Sequence, residues 1–142
     1  MKIEISVGEI IDKITILQIK EKHIKDISRL KHIVKSFLFF HKSKLELQVL
    51  LVAIERENIE VPKEMINSLR EINQELWDTE DAIRLMEKQE RFDDVFIEHA
   101  RLDAKLNDQR FLIKNKINNH CNSFIKEQKS YEGLYTPDST LG

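Results

Sequence analysis

Apolar residues recur along this chain at steps of three and four, the spacing that gathers side chains on one face of an α-helix. The clearest run is Met65, Leu69, Ile72, Leu76, Thr79, Ile83 and Met86, which steps 4, 3, 4, 3, 4, 3. A heptad-like stripe of this length predicts a long helix packed closely, in coiled-coil fashion, on an antiparallel neighbour. It starts after Glu57–Pro62, the best loop signal inside the chain. Proline disfavours helix at the residue before it and is tolerated in a helix's first turn. A first helix carries Ile10, Ile14, Leu17 and Ile24, and a weak break is expected near Asp26–Ser28. A second carries Leu30, Ile33, Phe37, Phe40, Leu47, Leu51 and Ile54, with Lys44 filling one slot. His41–Lys44 interrupts its apolar pattern, but no Gly, Pro, Asn or Asp punctuates it, so a continuous helix is favoured over a turn. A fourth, capped by Asp93, uses Val95, Phe96, Leu102, Leu106, Ile113 and Ile117 and ends somewhere in 120–128. At the N-terminus, Ser6-Val7-Gly8-Glu9 reads as a capping box.

The expected architecture is all-α. It is an antiparallel bundle of three to four long helices over residues 1–130, with a short extended N-terminus and an irregular tail over 131–142. Composition supports this. The 142 residues include three glycines and two prolines, and no glycine lies between Gly8 and Gly133. That scarcity argues against β-turn-rich folds and against Gly-rich phosphate or dinucleotide loops. The longest apolar run, Val49–Ile54, is far short of the ~20 residues of a membrane span, so no membrane insertion is expected. The first residues, Met1-Lys2-Ile3-Glu4-Ile5, do not resemble a signal peptide, and the single cysteine permits no internal disulfide. Both fit a cytoplasmic location.

Net charge is −2, so no bulk field draws the protein to nucleic acid. Residues 13–44 nevertheless carry nine Lys/Arg against Glu21 and Asp26, whereas residues 64–108 carry six Lys/Arg against thirteen Asp/Glu. Two helices of opposite charge packed in one bundle would account for this, as would a basic face for an anionic partner.

A second set of stripes runs beside the apolar ones. Asn73, Trp77, Glu80, Arg84 and Glu87 share a face of the third helix, and Asp103, Asn107, Arg110 and Lys114 share a face of the fourth. Glu9, Lys13 and Lys20 do so on the first, with Asp12 beside them. One reading is a rim of ion pairs. The other is a pocket between helices, lined by Lys13, Arg84, Arg110 and Lys114, in which Glu80 and Asp81 orient the cations toward a carboxylate or phosphate. Trp77 would then cap the pocket. His99 and Asp103 are four apart, but no Glu-x-x-His, His-Glu-x-x-His or cysteine cluster supports a metal, and no cofactor is expected. Cys121 has no evident base partner and reads as a half-buried thiol.

Ser6–Leu17, Asn73–Arg84, Asn107–Arg110 and Glu127–Tyr131 together resemble a family of short bacterial proteins classed only as a domain of unknown function. Its hallmarks are an opening SVGE-x-x-DK-x-TIL and a later LW-x-x-ED-x-IR. The resemblance implies an all-helical fold and no established activity. It groups Glu9, Asp12, Lys13, Trp77, Glu80, Asp81, Arg84, Asn107, Asp108, Arg110 and Tyr131. Gln18 stands where members commonly carry Glu. Ile11–Leu17 also resembles the first helix of all-helical chorismate mutases, which implies, as an analogy of fold, Arg and Lys between helices reading a dicarboxylate. Two functions follow as expectations: a binding or scaffold module, dimeric through its apolar stripes, or a small enzyme or receptor for an anionic metabolite.

Overall fold

A computed structural model describes residues 4–30 and 34–125, with side chains placed outside 25–40. It contains helices α1 (Val7–Leu30), α2 (Val34–Arg56), α3 (Lys63–Lys88) and α4 (Asp94–His120). No strand occurs among the described residues. The fold is therefore an all-α bundle. Leu30, Ile33, Phe37 and Phe40, and the tail 131–142, lie outside the described side chains or residues.

The α3 stripe faces inward along its whole length. Leu69, Leu76, Thr79 and Met86 are buried and Met65, Ile72 and Ile83 half-buried. Asp93 caps α4 by accepting a hydrogen bond from the Phe96 N–H at 3.2 Å, as its place before the reset apolar pattern predicts.

α1 is the central column. It packs against each of the other three helices, and α3 packs against α4, while α2 packs on α1 alone among the described residues. Contacts between α1 and α4 pair Gly8 with Asn118, Glu9 with Lys114 and Asp12 with Arg110. The numbers descend on one helix as they rise on the other, so the two run antiparallel. The core joins Val7, Ile10, Ile11, Ile14 and Leu17 of α1 to Leu47, Leu69 and Ile117. Ile59 and Val61 of the α2–α3 connection close it from below. Burying Leu69 and Ile117 completely stabilises the fold by roughly 2 kcal/mol each.

Two expectations are corrected. Helix α1 does not break at Asp26–Ser28 but continues to Leu30. On α2, which is continuous through His41–Lys44, the inward face is Ser43, Leu47, Leu50 and Ile54 rather than the Lys44–Leu51 line. A buried serine occupies the slot assigned to Lys44, and Leu51 is left exposed. Ser43 is small enough to be buried on this face at 5% exposure.

Helix ends are built without glycine. Asn58, Glu90 and Asn122 adopt φ of 50°, 52° and 50°. The next residue in each case donates its N–H five residues back: Ile59 to Ile54, Arg91 to Met86 and Ser123 to Asn118. These are Schellman closures with asparagine or glutamate in the left-handed position that glycine usually takes.

Candidate functional site

The α1 N-terminus opens the polar seam between α1, α3 and α4. A helix start leaves backbone N–H groups without intrahelical partners. Here Val7 donates to Ser123 Oγ (3.3 Å), Gly8 to Asn118 Oδ1 (2.7 Å) and Glu9 to Ser6 Oγ (3.3 Å). The Ser6 half of the capping box forms. The Glu9 carboxylate does not turn back to Ser6 but takes Lys114 Nζ at 2.5 Å. Gly8 permits the approach, since a Cβ there would lie 2.5 Å from the Lys114 carbonyl oxygen and 2.9 Å from Asn118 Oδ1.

One turn up α1, the Asp12 side chain is only 4% exposed. A buried carboxylate is tolerated only with its lone pairs engaged. Arg110 forks onto it, Nε to Oδ1 at 2.8 Å and Nη2 to Oδ2 at 2.6 Å. Asn73 Nδ2 donates to Asp12 Oδ1 and to Thr15 Oγ1, both at 2.9 Å. The Thr15 hydroxyl donates in turn to the Asp12 carbonyl at 2.8 Å. Three helices thus meet on one carboxylate. Asn107 extends the seam upward, accepting from Arg110 Nη1 at 3.4 Å and donating to Asp103 Oδ2 at 3.3 Å. Asp108 is half-buried nearby on α4.

Higher still, Trp77 stacks on His23 of α1, with ring centroids 4.9 Å apart and planes within 10°. His23 Nε2 and Trp77 Nε1 are shielded from solvent with no hydrogen-bond partner among the described residues.

The remaining candidates lie elsewhere. Lys13 points to α2 and pairs with Glu46 at 3.1 Å, both side chains about half exposed. Arg84 is 70% exposed and bound along its own helix to Glu80 (3.2 Å) and Asp81 (3.5 Å). It sits eleven positions beyond Asn73, about 16 Å along α3 at 1.5 Å per residue. Lys13, Arg84 and Arg110 therefore do not converge on one cavity. The α3 stripe divides: Asn73 and Trp77 face α1, whereas Arg84 faces water. Tyr131 lies outside the described residues.

Asn118, Ser123 and Thr15 belong to the seam but lie outside the stripes read from the sequence. Asn118 continues the α4 stripe Asp103–Asn107–Arg110–Lys114 by one further step of four, which is the signal that could have found it. Gln18 accepts from Arg70 Nη2 at 3.3 Å, so the neutral amide still bridges α1 and α3.

A family model matches residues 1–141, that of the DUF6165 family of unknown function. The chain belongs to this family. No curated protein and no solved structure matches the chain. Family membership therefore brings no activity, and the chemistry must come from the residues.

That chemistry is self-contained. The fork of Arg110 and the ammonium of Lys114, both turned into the bundle, each hold a carboxylate of α1. Among the described residues no three His, Cys, Asp or Glu side chains group as metal ligands. His99 Nδ1 lies 2.8 Å from the Val95 carbonyl oxygen, within its own helix. Cys121 is half-buried 3.7 Å from the Glu60 carbonyl, and burial raises its thiol pKa, the opposite of an activated nucleophile.

Proposed function

We propose that this protein is a non-catalytic interaction module: a bundle pinned from within by its α1–α3–α4 polar seam, which meets its partner through apolar surface on α2. The observation that carries this reading is the fate of the inward cations. A receptor for a carboxylate or phosphate needs a cationic fork open to the ligand. Asp12 already occupies the fork of Arg110 in both positions. An anion would have to displace a carboxylate whose own removal from its partners is strongly unfavourable.

Surface character points the same way. Leu45, Val49 and Val52 on α2 are 63%, 60% and 59% exposed. Clustered exposed apolar residues mark contact surfaces more often than isolated ones do. Among the described residues no helix is long and apolar enough to cross a membrane, so this surface is not part of a helical span.

The reading is tested by thermal denaturation in inorganic phosphate or citrate against sodium chloride of equal ionic strength. A ligand that binds only the folded state raises the midpoint in proportion to the logarithm of its concentration. The expected result is no difference between the salts beyond the gradual rise, linear in concentration, that phosphate and citrate give as excluded salts. A rise specific to phosphate or citrate that follows the logarithm of its concentration would establish an anion receptor instead.

A further inference from the structure

Above Asp12 the seam continues into a second polar layer, made of His23, Trp77 and Asp103. His23 Nε2, Trp77 Nε1 and Asp103 Oδ1 are shielded from solvent and have no hydrogen-bond partner among the described residues. Buried polar atoms without partners are rare because each one costs free energy. The register of the bundle brings these three to one level. Asp12 and Arg110 meet across α1 and α4. His23 lies eleven residues beyond Asp12, which is three turns, and Asp103 lies seven before Arg110, which is two. Both return to the faces that meet at Asp12 and Arg110, about 16 and 10 Å further up. Side chains tilt toward the N-terminus of their own helix, and α1 and α4 run antiparallel, so His23 leans down and Asp103 leans up. Trp77 stands one turn above Asn73 on α3, with its ring stacked on that of His23.

The three atoms are complementary. Two are ring nitrogens that can donate, and the third is a carboxylate oxygen that only accepts and has two lone pairs. We infer that this layer is a latch closed by acid: protonated His23 and the Trp77 N–H both donate to Asp103 Oδ1 and tie α1 and α3 to α4. A neutral imidazole carries one N–H and can leave Nε2 as a bare lone pair facing the carboxylate, whereas an imidazolium carries a proton on both nitrogens. The indole face beneath the imidazole also favours positive charge.

The other charged groups around His23 do not replace Asp103. On α1, Lys20 lies one turn below it and Asp26 follows three residues beyond it. On α3, Glu80 is bound to Arg84. On α4, the Nδ1 of His99 lies on its own helix's Val95 carbonyl. Helix α2 covers the side of α1 that carries Lys13, and its residues 34–45 include Lys35, His41, Lys42 and Lys44 and no acid. The second oxygen of Asp103 stays with Asn107 at 3.3 Å, which holds the carboxylate in the seam. The latch exists only in the folded chain, so the folded state takes up the proton more readily than the unfolded one. Its stabilisation is complete at acid pH and is lost as pH rises.

Trp77 is the single tryptophan, and it reports directly on the ring above it. A stacked imidazolium quenches indole emission, and a neutral imidazole does not. Emission of the full chain is followed from about pH 8 to about pH 5, the range in which histidines change charge. The expected result is one quenching transition that His23→Gln abolishes. The isosteric Asp103→Asn, which removes the charge, should move it to lower pH by about one unit, a tenfold weaker hold on the proton. In urea titrations at the two ends of the range, acidification should raise the folding constant of the wild type about tenfold more than that of either variant. Circular dichroism checks that each variant folds, and the Asp103→Asn arm decides alone if His23→Gln does not. Emission that stays flat, quenching that survives His23→Gln, a transition that Asp103→Asn leaves in place, or equal responses to acid in urea would each overturn the proposal.

Discussion

The Asp12–Arg110 seam and the outer stripe of α3 hold the same residue types at the same helical spacing and have opposite physical character. In the seam, Asp12 is buried and Arg110 27% exposed, and three helices share one carboxylate. On α3, Glu80, Asp81 and Arg84 pair along one helix in water. Exposed pairs of this kind contribute about 0–1 kcal/mol, whereas orphaning one member of a buried pair costs about 3–5 kcal/mol. A charged stripe thus acquires meaning only from what lies opposite it. α1 lies opposite the seam, and solvent lies opposite the α3 stripe.

The strongest challenge to this contrast is Asp12→Ala. It leaves Arg110 and Asn73 without their shared acceptor and should destabilise the fold by about 3 kcal/mol in urea titration, with Arg110's partial exposure keeping the loss at the low end. A loss below about 1 kcal/mol would put the seam in the same class as the α3 stripe. Gly8→Ala tests the close approach itself. Its methyl must push back the Lys114 carbonyl, a backbone atom, at a cost of about 2 kcal/mol. Arg84→Ala is the control and should move stability by less than about 0.5 kcal/mol.

Two smaller effects sharpen the picture at its edges. The Arg91 guanidinium, hydrogen-bonded to Asp93 at 2.6 Å, holds that carboxyl below its ordinary 3.8. A lowered folded-state pKa contributes stability above the unfolded value and loses it as pH falls through the folded one. The α4 cap should therefore persist at pH 4 and weaken only below it, with an Asp93 NMR titration midpoint under 3.8. At Cys121, where burial favours the protonated thiol, alkylation at pH 8 should run several-fold slower than for an exposed cysteine thiol of ordinary pKa.

Much of the fold was legible because α3 and α4 each bury a single face. The Met65–Met86 stripe and the Asp93 cap follow from period and punctuation alone. α2 was harder to read, since a helix with two apolar faces offers two equally good stripes, and only the buried Ser43 decides between them. The helix stops at Asn58 and Glu90 fall where the Glu57–Pro62 loop signal and the pattern reset before Asp93 put them, although the left-handed residues there are not glycine. At the seam, Glu9, Asp12, Arg110 and Lys114 came together from stripes on two helices. Lys13 went to α2 because it lies on the side of α1 that α2 covers. Thr15 was hidden because its contribution is a hydroxyl inside an otherwise apolar stretch.

The α1 start is finished by groups 110 and 116 residues downstream, Asn118 and Ser123. During synthesis, α1 leaves the ribosome ahead of α4 and waits for its caps until nearly all of α4 has followed. Helix α1 is thus completed by residues made long after it. Contacts this distant in sequence are slow to form and bind the whole chain into one cooperative unit. A truncation before Asn118 would be felt first at Val7 and Gly8.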